Sequence, residues 1–429
     1  MRVQLVRFLP FLAASFIVGL VAFIYSRVFT YSEKLSHYIF EQNHLFIFIS
    51  TPVSFLLSWW IVNRFAPFSR GSGIPQVMAA LELTNNQEKK GFIDQFLNLK
   101  VIAVKFISSC VKVIGGGILG REGPTIQIAS SIFNKIQNWI PPQWQQTTQN
   151  NVLVAGAASG LAAAFNTPLG GIIFAIEELS KYHINQYKST LFIAVIIAGL
   201  TAQGFGGSYL YLGSPNTSLN SYYVLLAIPL VGLITGIAGS KMCTILLHFM
   251  RFVKSLSGNF KQVSFIILSG LIVAGFIYFV GIDAMGSGKE LMERLLHSDN
   301  KTVEWYVPFV RLNGLILSFG IGGAGGIFAP ALSSGAGFGA LVAQLMHIEG
   351  SDANLLILVG MAGFLTAVTR APFTSAIIIF EMTDRHSIIF FLLIGALVAN
   401  VVAAYIDKRP FYNVLKEGYL NEINQKKDH

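Results

Sequence analysis

Three short phrases constrain this chain more than any other feature. Gly71 to Pro75 (GSGIP), Gly120 to Pro124 (GREGP) and Gly326 to Pro330 (GIFAP) each interrupt an otherwise apolar stretch. Glycine and proline disfavour a helix interior, but proline suits the first turn, where its missing N–H costs no bond. Each phrase therefore reads as a helix start at membrane depth. A helix start carries unpaired N–H groups and roughly half a positive charge, so it is a ready site for an anion. Irregular backbone in a bilayer is tolerated only inside protein or against a water-filled cavity. Three such starts in one apolar chain point to a path for an anion.

The chain is 53% hydrophobic and 12% charged, whereas soluble domains average about 25% charged residues. This composition marks an integral membrane protein. Apolar runs lie at 8–25, 45–62, 191–200, 222–247, 264–280 and 388–404. Spanning takes about 20 apolar residues, and several runs are shorter or broken by Gly and Pro, as in transporters and channels. The first run follows Arg2 and Arg7 but has no clear small-residue cleavage site, so it is expected to be a retained helix. The net charge of +9 gathers at termini and loops. That pattern fits the positive-inside rule rather than a nucleic-acid partner, and it places both termini in the cytoplasm. Cys110 and Cys243 sit in apolar segments without metal or redox spacing and read as core residues. No Walker loop, HExxH or Cys/His spacing is present, and the histidines lie mostly near loops or ends. We expect no enzyme, no metal and no cofactor.

No polar linker separates soluble domains, and residues 413–429 leave only a short cytoplasmic tail. The expectation is one membrane domain, 1–429, with repeats over about 45–213 and about 222–412. Residues 156–177 align without gaps on 360–381, placing Gly156, Leu161, Pro168 and Glu177 on Gly360, Leu365, Pro372 and Glu381. At nearly the same offset, Gly116 through Pro124 falls on Gly322 through Pro330, and Gly71-Ser72-Gly73 falls on Gly286-Ser287-Gly288. Halves of opposite orientation would place a substrate site near the midplane, at the repeat interface. Two acids break the symmetry: Glu122 falls on Phe328, and Glu178 on Met382.

The three phrases in this order, with a tyrosine at Pro410 to Tyr412, resemble the CLC family of chloride channels and proton-coupled chloride antiporters. The resemblance spans roughly 71–412. It implies an all-α polytopic fold of two inverted repeats with tilted and broken helices, of the prokaryotic type. It also implies a homodimer in a bacterial inner membrane, with one anion pathway per subunit and chloride and protons as the transported ions.

Each site residue carries a plain structural reading beside the one the family implies. Ser72 is either a small residue for close helix contact or, by resemblance, a chloride ligand. Tyr412 is an interface anchor or the second hydroxyl ligand, with Tyr405 as its competitor. Ile327 and Phe328 would offer backbone N–H groups, alongside the motif glycines Gly71, Gly73, Gly120, Gly123 and Gly326. Glu122 is an acid in an apolar segment and hence a functional candidate; its plain reading is a salt bridge to Arg121. In the family this glutamate is the gate, and its carboxylate competes with chloride for the same N–H groups. Glu177, matched by Glu381, suggests a cap or an ion pair. Glu178 either marks a polar helix end, with Ser180 and Lys181 following, or is the family's internal proton-transfer glutamate. Lys105 raises the local potential or pairs with an acid such as Glu82, and Arg121 orders the GREGP turn. Gln76 and Met78 stand where some relatives carry acids, which would alter the dimer or entrance electrostatics. The expected activity is chloride/proton exchange with Glu122 as the shared gate. A passive channel of the same fold is the alternative, and an intramembrane hydrolase using Ser72 the remote one.

Overall fold

The computed structural model describes residues 2–85, 87–141, 148–179, 188–207, 210–383 and 386–427. Ser180, Lys181 and His183 lie outside the described residues. The described chain is helical, and its β-type pairing is confined to two isolated bridges, Gly71 with Ala324 and Gly120 with Gly326. Eight described helices are long and apolar enough to cross a membrane. Six coincide with the apolar runs. The first is longer than its run, since it continues to Gln42 as a single helix.

The other two, Phe328–Leu345 and Gly350–Thr369, are missing from the run list for a physical reason. Over their most apolar stretch, 83% and 100% of their residues are buried inside the protein, so they are built for close packing rather than for lipid. Gly335 and Gly339 on one face Gly360 on the other so closely that a Cβ on any of them would strike backbone. In the other half, Gly156 and Gly160 of the Gln149–Phe165 helix lie against the Glu122–Trp139 helix in the same manner. Without a hydrophobic drive between helices in lipid, such small-residue contacts supply the packing. Both GREGP and GIFAP thus open a helix held along its length by a glycine-bearing neighbour.

Two further aligned pairs do matching work. Glu177 accepts from the N–H of Phe373 (3.3 Å), the N–H of Thr374 (2.7 Å) and the Thr374 hydroxyl (2.7 Å). Glu381 accepts from the N–H groups of Leu169 (2.9 Å) and Gly170 (2.6 Å). Each acid therefore caps the first turn of the helix carrying its counterpart's phrase, Pro372–Thr383 and Pro168–Phe174. Of the cap and the ion pair expected for Glu177, the cap is what forms. Carboxylates favour helix N-termini because they satisfy orphan donors and meet the positive end of the dipole.

The second pair is Lys105 and Arg311, which align at the offset that puts Gly116 on Gly322. Lys105 donates to the carbonyls of Ser69 and Gly71, both at 2.8 Å. Arg311 donates to the carbonyls of Asp283 (2.7 Å), Met285 (3.2 Å) and Gly286 (3.2 Å). Each buried cation holds the loop entering a Gly-Ser-Gly turn. Lys105 does not pair with Glu82, whose carboxylate meets Lys416 at 2.6 Å instead. Carbonyl oxygens suit this lysine because they satisfy its protons without bringing a compensating negative charge to the site.

The caps make a stability prediction. Glu177→Ala strands buried donors and should cost about 1–3 kcal/mol, read as a lowered midpoint of thermal unfolding in detergent. Thr374→Val removes one hydroxyl donor and should cost less. Equal midpoints for Glu177→Ala and the native protein would contradict the capping role.

Candidate anion and proton site

The three phrases meet at one point, and backbone hydrogen bonds bring them there. Gly71 N–H donates to the Gly323 carbonyl (2.7 Å), and Gly325 N–H donates to the Gly71 carbonyl (3.1 Å). Gly120 and Gly326 exchange N–H to carbonyl bonds at 2.8 and 2.7 Å. A Cβ on Gly326 would crowd the Gly120 carbonyl and the Gly123 nitrogen, at 3.0 and 3.1 Å. Gly71 (φ +66°) and Gly73 (φ +107°) also adopt left-handed conformations that other residues resist. From this knot the helices Ile74–Thr84, Glu122–Trp139 and Phe328–Leu345 lead away. The helix-start reading of each phrase is what the fold shows.

Ser72 is buried beside Gly123, where an added Cβ would collide with its hydroxyl. Tyr412 is fully buried near the start of the Phe411–Lys427 helix, with its ring 6.4 Å from that of Phe328. Ser72, Glu178 and Glu122 are among the groups acting electrostatically on its hydroxyl. Neither hydroxyl makes a hydrogen bond of full geometry, although the two lie close enough to each other to interact. Buried hydroxyls are rarely left so, and two of them converging is a donor set for an anion. The interface-anchor reading belongs to Tyr405, which is 92% exposed, rather than to Tyr412.

Glu122 opens its helix and is buried. The N–H dipoles of Glu122 itself and of Ala329 act on its carboxylate. Ala329 lies in GIFAP, so this carboxylate rests at the start of the Phe328–Leu345 helix. Its Oε2 has no hydrogen-bond partner and lies where a Cβ on Gly120 would sit. Arg121 turns away, donating to the Ser26 carbonyl (3.1 Å) and the Thr30 hydroxyl (3.3 Å), which ties the GREGP turn to the Arg2–Gln42 helix. Glu178 lies in a π-turn, Ala175–Leu179, that follows directly on the Pro168–Phe174 helix. The wider turn separates the two neighbouring acids: Glu177 reaches the opposite helix, while Glu178 is half-buried.

Several residues outside the expected set also face this region. A cavity of about 230 Å³ reaches Glu122 and is lined in addition by Arg121, Glu33, His37, Ser287 and Glu290. Glu33 accepts from Ser287 N–H at 2.9 Å, and His37 meets Glu290 at 3.1 Å. The His37 hydrogen bond holds the Glu290 carboxyl below its ordinary range. Glu33 and His37 lie one turn apart on a helix that outruns its apolar stretch, so hydropathy gave no signal for them. Lys112, also buried, donates to the Gly322 carbonyl. Gln76 is fully buried and donates to the Arg70 carbonyl at 2.6 Å.

The arrangement can bind a small anion and can present a carboxylate in its place. Comparison with known proteins agrees in class. The family model described as voltage gated chloride channel matches residues 54–404, and the chain belongs to that family. It is 28% identical over 424 residues to a Citrobacter koseri protein named H(+)/Cl(-) exchange transporter ClcA, covering 93% of this chain and 85% of that one. A Yersinia pestis protein of the same name is 29% identical over 383 residues, covering 86% of this chain and 77% of its own. Among solved structures, a slow cyanobacterial Cl-/H+ antiporter superposes with TM-score 0.81 at 24% identity, over 97% of this chain and 99% of that one. A CLC-type fluoride/proton antiporter gives 0.77 at 21% identity, over 93% and 95%. These two likenesses establish the fold.

Two glycines give opposite predictions. Gly123→Ala drives a Cβ into the Ser72 hydroxyl and should weaken chloride binding roughly tenfold, about 1.4 kcal/mol, by calorimetry. Gly120→Ala displaces the Glu122 carboxylate and should leave chloride affinity equal or tighter. Equal weakening by both would contradict the assignment of separate positions to hydroxyl and carboxylate.

Proposed function

We propose that this protein is a membrane antiporter that exchanges chloride for protons, with Glu122 as the gate common to both ions. The observation that carries the reading is the Glu122 carboxylate at the start of the GIFAP helix, with one oxygen unpartnered. A carboxylate and a chloride ion cannot share those N–H groups. When Glu122 takes up a proton, its attraction to the helix start falls and the ion replaces it. Ser72 and Tyr412 supply hydroxyl donors, and the N–H groups of Ile327 and Phe328 complete the binding. Glu178 hands protons towards Glu122 from the cytoplasmic side through a route that waters complete.

The same reading places the chain in a bacterial inner membrane as a homodimer with one pathway per subunit and both termini cytoplasmic. Two inverted repeats form each pathway, supported by the reciprocal caps of Glu177 and Glu381 and the matched cations Lys105 and Arg311. Chloride and protons are its cargo, and no cofactor takes part. The family is described as a voltage gated chloride channel family, which supports transport over the hydrolase reading.

Reconstituted liposomes test the proposal, with chloride flux and pH recorded together. Glu122→Gln should cut chloride-driven proton movement below about a tenth of the native rate while chloride still passes. Glu178→Gln should do the same and leave chloride binding intact. Ser72→Pro removes a hydroxyl and an N–H together, and should shift preference from chloride towards nitrate. A native protein that passes chloride without moving protons would be a channel and would overturn the antiporter reading. Full coupling in Glu178→Gln would remove that residue from the proton route.

A further inference from the structure

The Phe411–Lys427 helix does two things at its two ends. Near its start it supplies Tyr412, whose buried hydroxyl lies opposite Ser72. Ten residues later, about 15 Å along a helix, it supplies Glu422. Arg70, two residues before Ser72, donates to both Glu422 oxygens at 2.6 Å. Lys254, near the end of the Tyr223–Ser255 helix, donates to the same carboxylate at 2.9 Å. Tyr419 completes the contact. Its ring lies 4.8 Å beneath the Arg70 guanidinium, and its hydroxyl accepts from Gln76 Nε2 at 3.0 Å. Gln76 also donates to the Phe68 and Arg70 carbonyls, at 3.2 and 2.6 Å. The strand of chain that delivers Ser72 is thus bonded, residue by residue, to the helix that delivers Tyr412.

Packing does not make this attachment redundant. A cavity of about 500 Å³ lies alongside, lined by Arg70, Gly71, Gly323, Tyr419 and Glu422 among others. On that side the helix and the Gly71 turn face open volume, while Tyr419 and Ile423 pack into the core on the other, so the polar bonds add to one-sided packing in limiting their relative movement.

We propose that Arg70, Glu422, Tyr419 and Gln76 form a latch that sets the gap between the Ser72 and Tyr412 hydroxyls, and thereby the inner constriction of the ion pathway. These are positioning residues, for none of them need touch the ion. The latch is built to stay closed. Burial opposes ionisation of Glu422, but the bonds from Arg70 and Lys254 outweigh it and hold the carboxyl below its ordinary range. A carboxyl lowered in this way keeps its stabilising contact above the ordinary pKa of about 4.3, and loses it only as pH falls through the lowered value. Near neutral pH the latch is therefore constitutive, and releasing it takes a change of residue. The neutral amide of Gln76 belongs to the same design, because it donates to two carbonyls of the turn where a carboxylate would repel them.

This inference rests on the antiporter reading, and the test separates the two. Arg70→Gln, Glu422→Gln, the double variant and Tyr419→Phe are reconstituted, and chloride turnover, protons moved per chloride and chloride affinity are measured at neutral pH. Opening the latch should raise chloride turnover roughly threefold or more and at least halve the protons moved per chloride, with chloride affinity falling by a similar factor. The double variant should fall clearly short of the sum of the two single effects, since they share the Arg70–Glu422 bond while each also removes one contact of its own, to Lys254 or to the Tyr419 ring. Tyr419→Phe keeps the ring under Arg70 and should show a smaller change in the same direction. A structural role alone would lower the unfolding midpoint while leaving protons per chloride and affinity unchanged in the folded protein. That result, or additive effects in the double variant, overturns the latch. Absence of coupled flux in the native protein would instead overturn the antiporter reading itself.

Discussion

The four backbone hydrogen bonds between glycines hold the rest of this structure in place. They join Gly71 to Gly323 and Gly325, and Gly120 to Gly326, and so bring three helix starts from distant parts of the chain to one point. Each start has N–H groups that its own helix cannot satisfy. Gathered in protein away from lipid, those groups need a negative partner. The buried Lys105 and Lys112 occupy the Ser69, Gly71 and Gly322 carbonyl oxygens around the knot, leaving N–H groups and hydroxyls free to meet an anion. On the proposed reading the site favours anions because of how backbone polarity is sorted, with side chains refining the result.

In the proposed mechanism one competing anion is part of the protein. The Glu122 carboxylate lies at the start of the helix opened by GIFAP, close enough to Gly120 that only glycine fits there. A carboxylate that can be neutralised by a proton is a removable competitor for chloride. On that reading a proton is admitted where an ion is to enter. Proton supply and ion passage then need separate routes. The cavity lined by Glu33, His37 and Glu290 meets Glu122 from one direction, while Glu178 on its π-turn belongs to another.

Much of this was legible in the sequence because broken helices at membrane depth need Gly and Pro in fixed places. GSGIP, GREGP and GIFAP gave the helix starts, and the alignment of 156–177 on 360–381 anticipated the cap role of Glu177. What stayed hidden depended on which atoms approach across long chain separations. Hydropathy runs missed Phe328–Leu345 and Gly350–Thr369 because helices buried in protein need small residues rather than long apolar ones. Lys105 reads equally well as an ion-pair partner until the Ser69 and Gly71 carbonyls are seen at 2.8 Å. Arg311 was recoverable from the repeat offset. The bond from Arg70 to Glu422 had no local signal, since it joins residues at opposite ends of the chain through ordinary surface-type side chains.

The central claim is that chloride and the Glu122 carboxylate compete for the same helix starts. Calorimetric titration with chloride, repeated in buffers of different ionisation enthalpy, measures the protons exchanged when the ion binds. The account predicts net proton uptake by the native protein on chloride binding, and none by Glu122→Gln, whose amide has no proton to gain. Chloride binding without proton uptake in the native protein, or with the same uptake in Glu122→Gln, would contradict it.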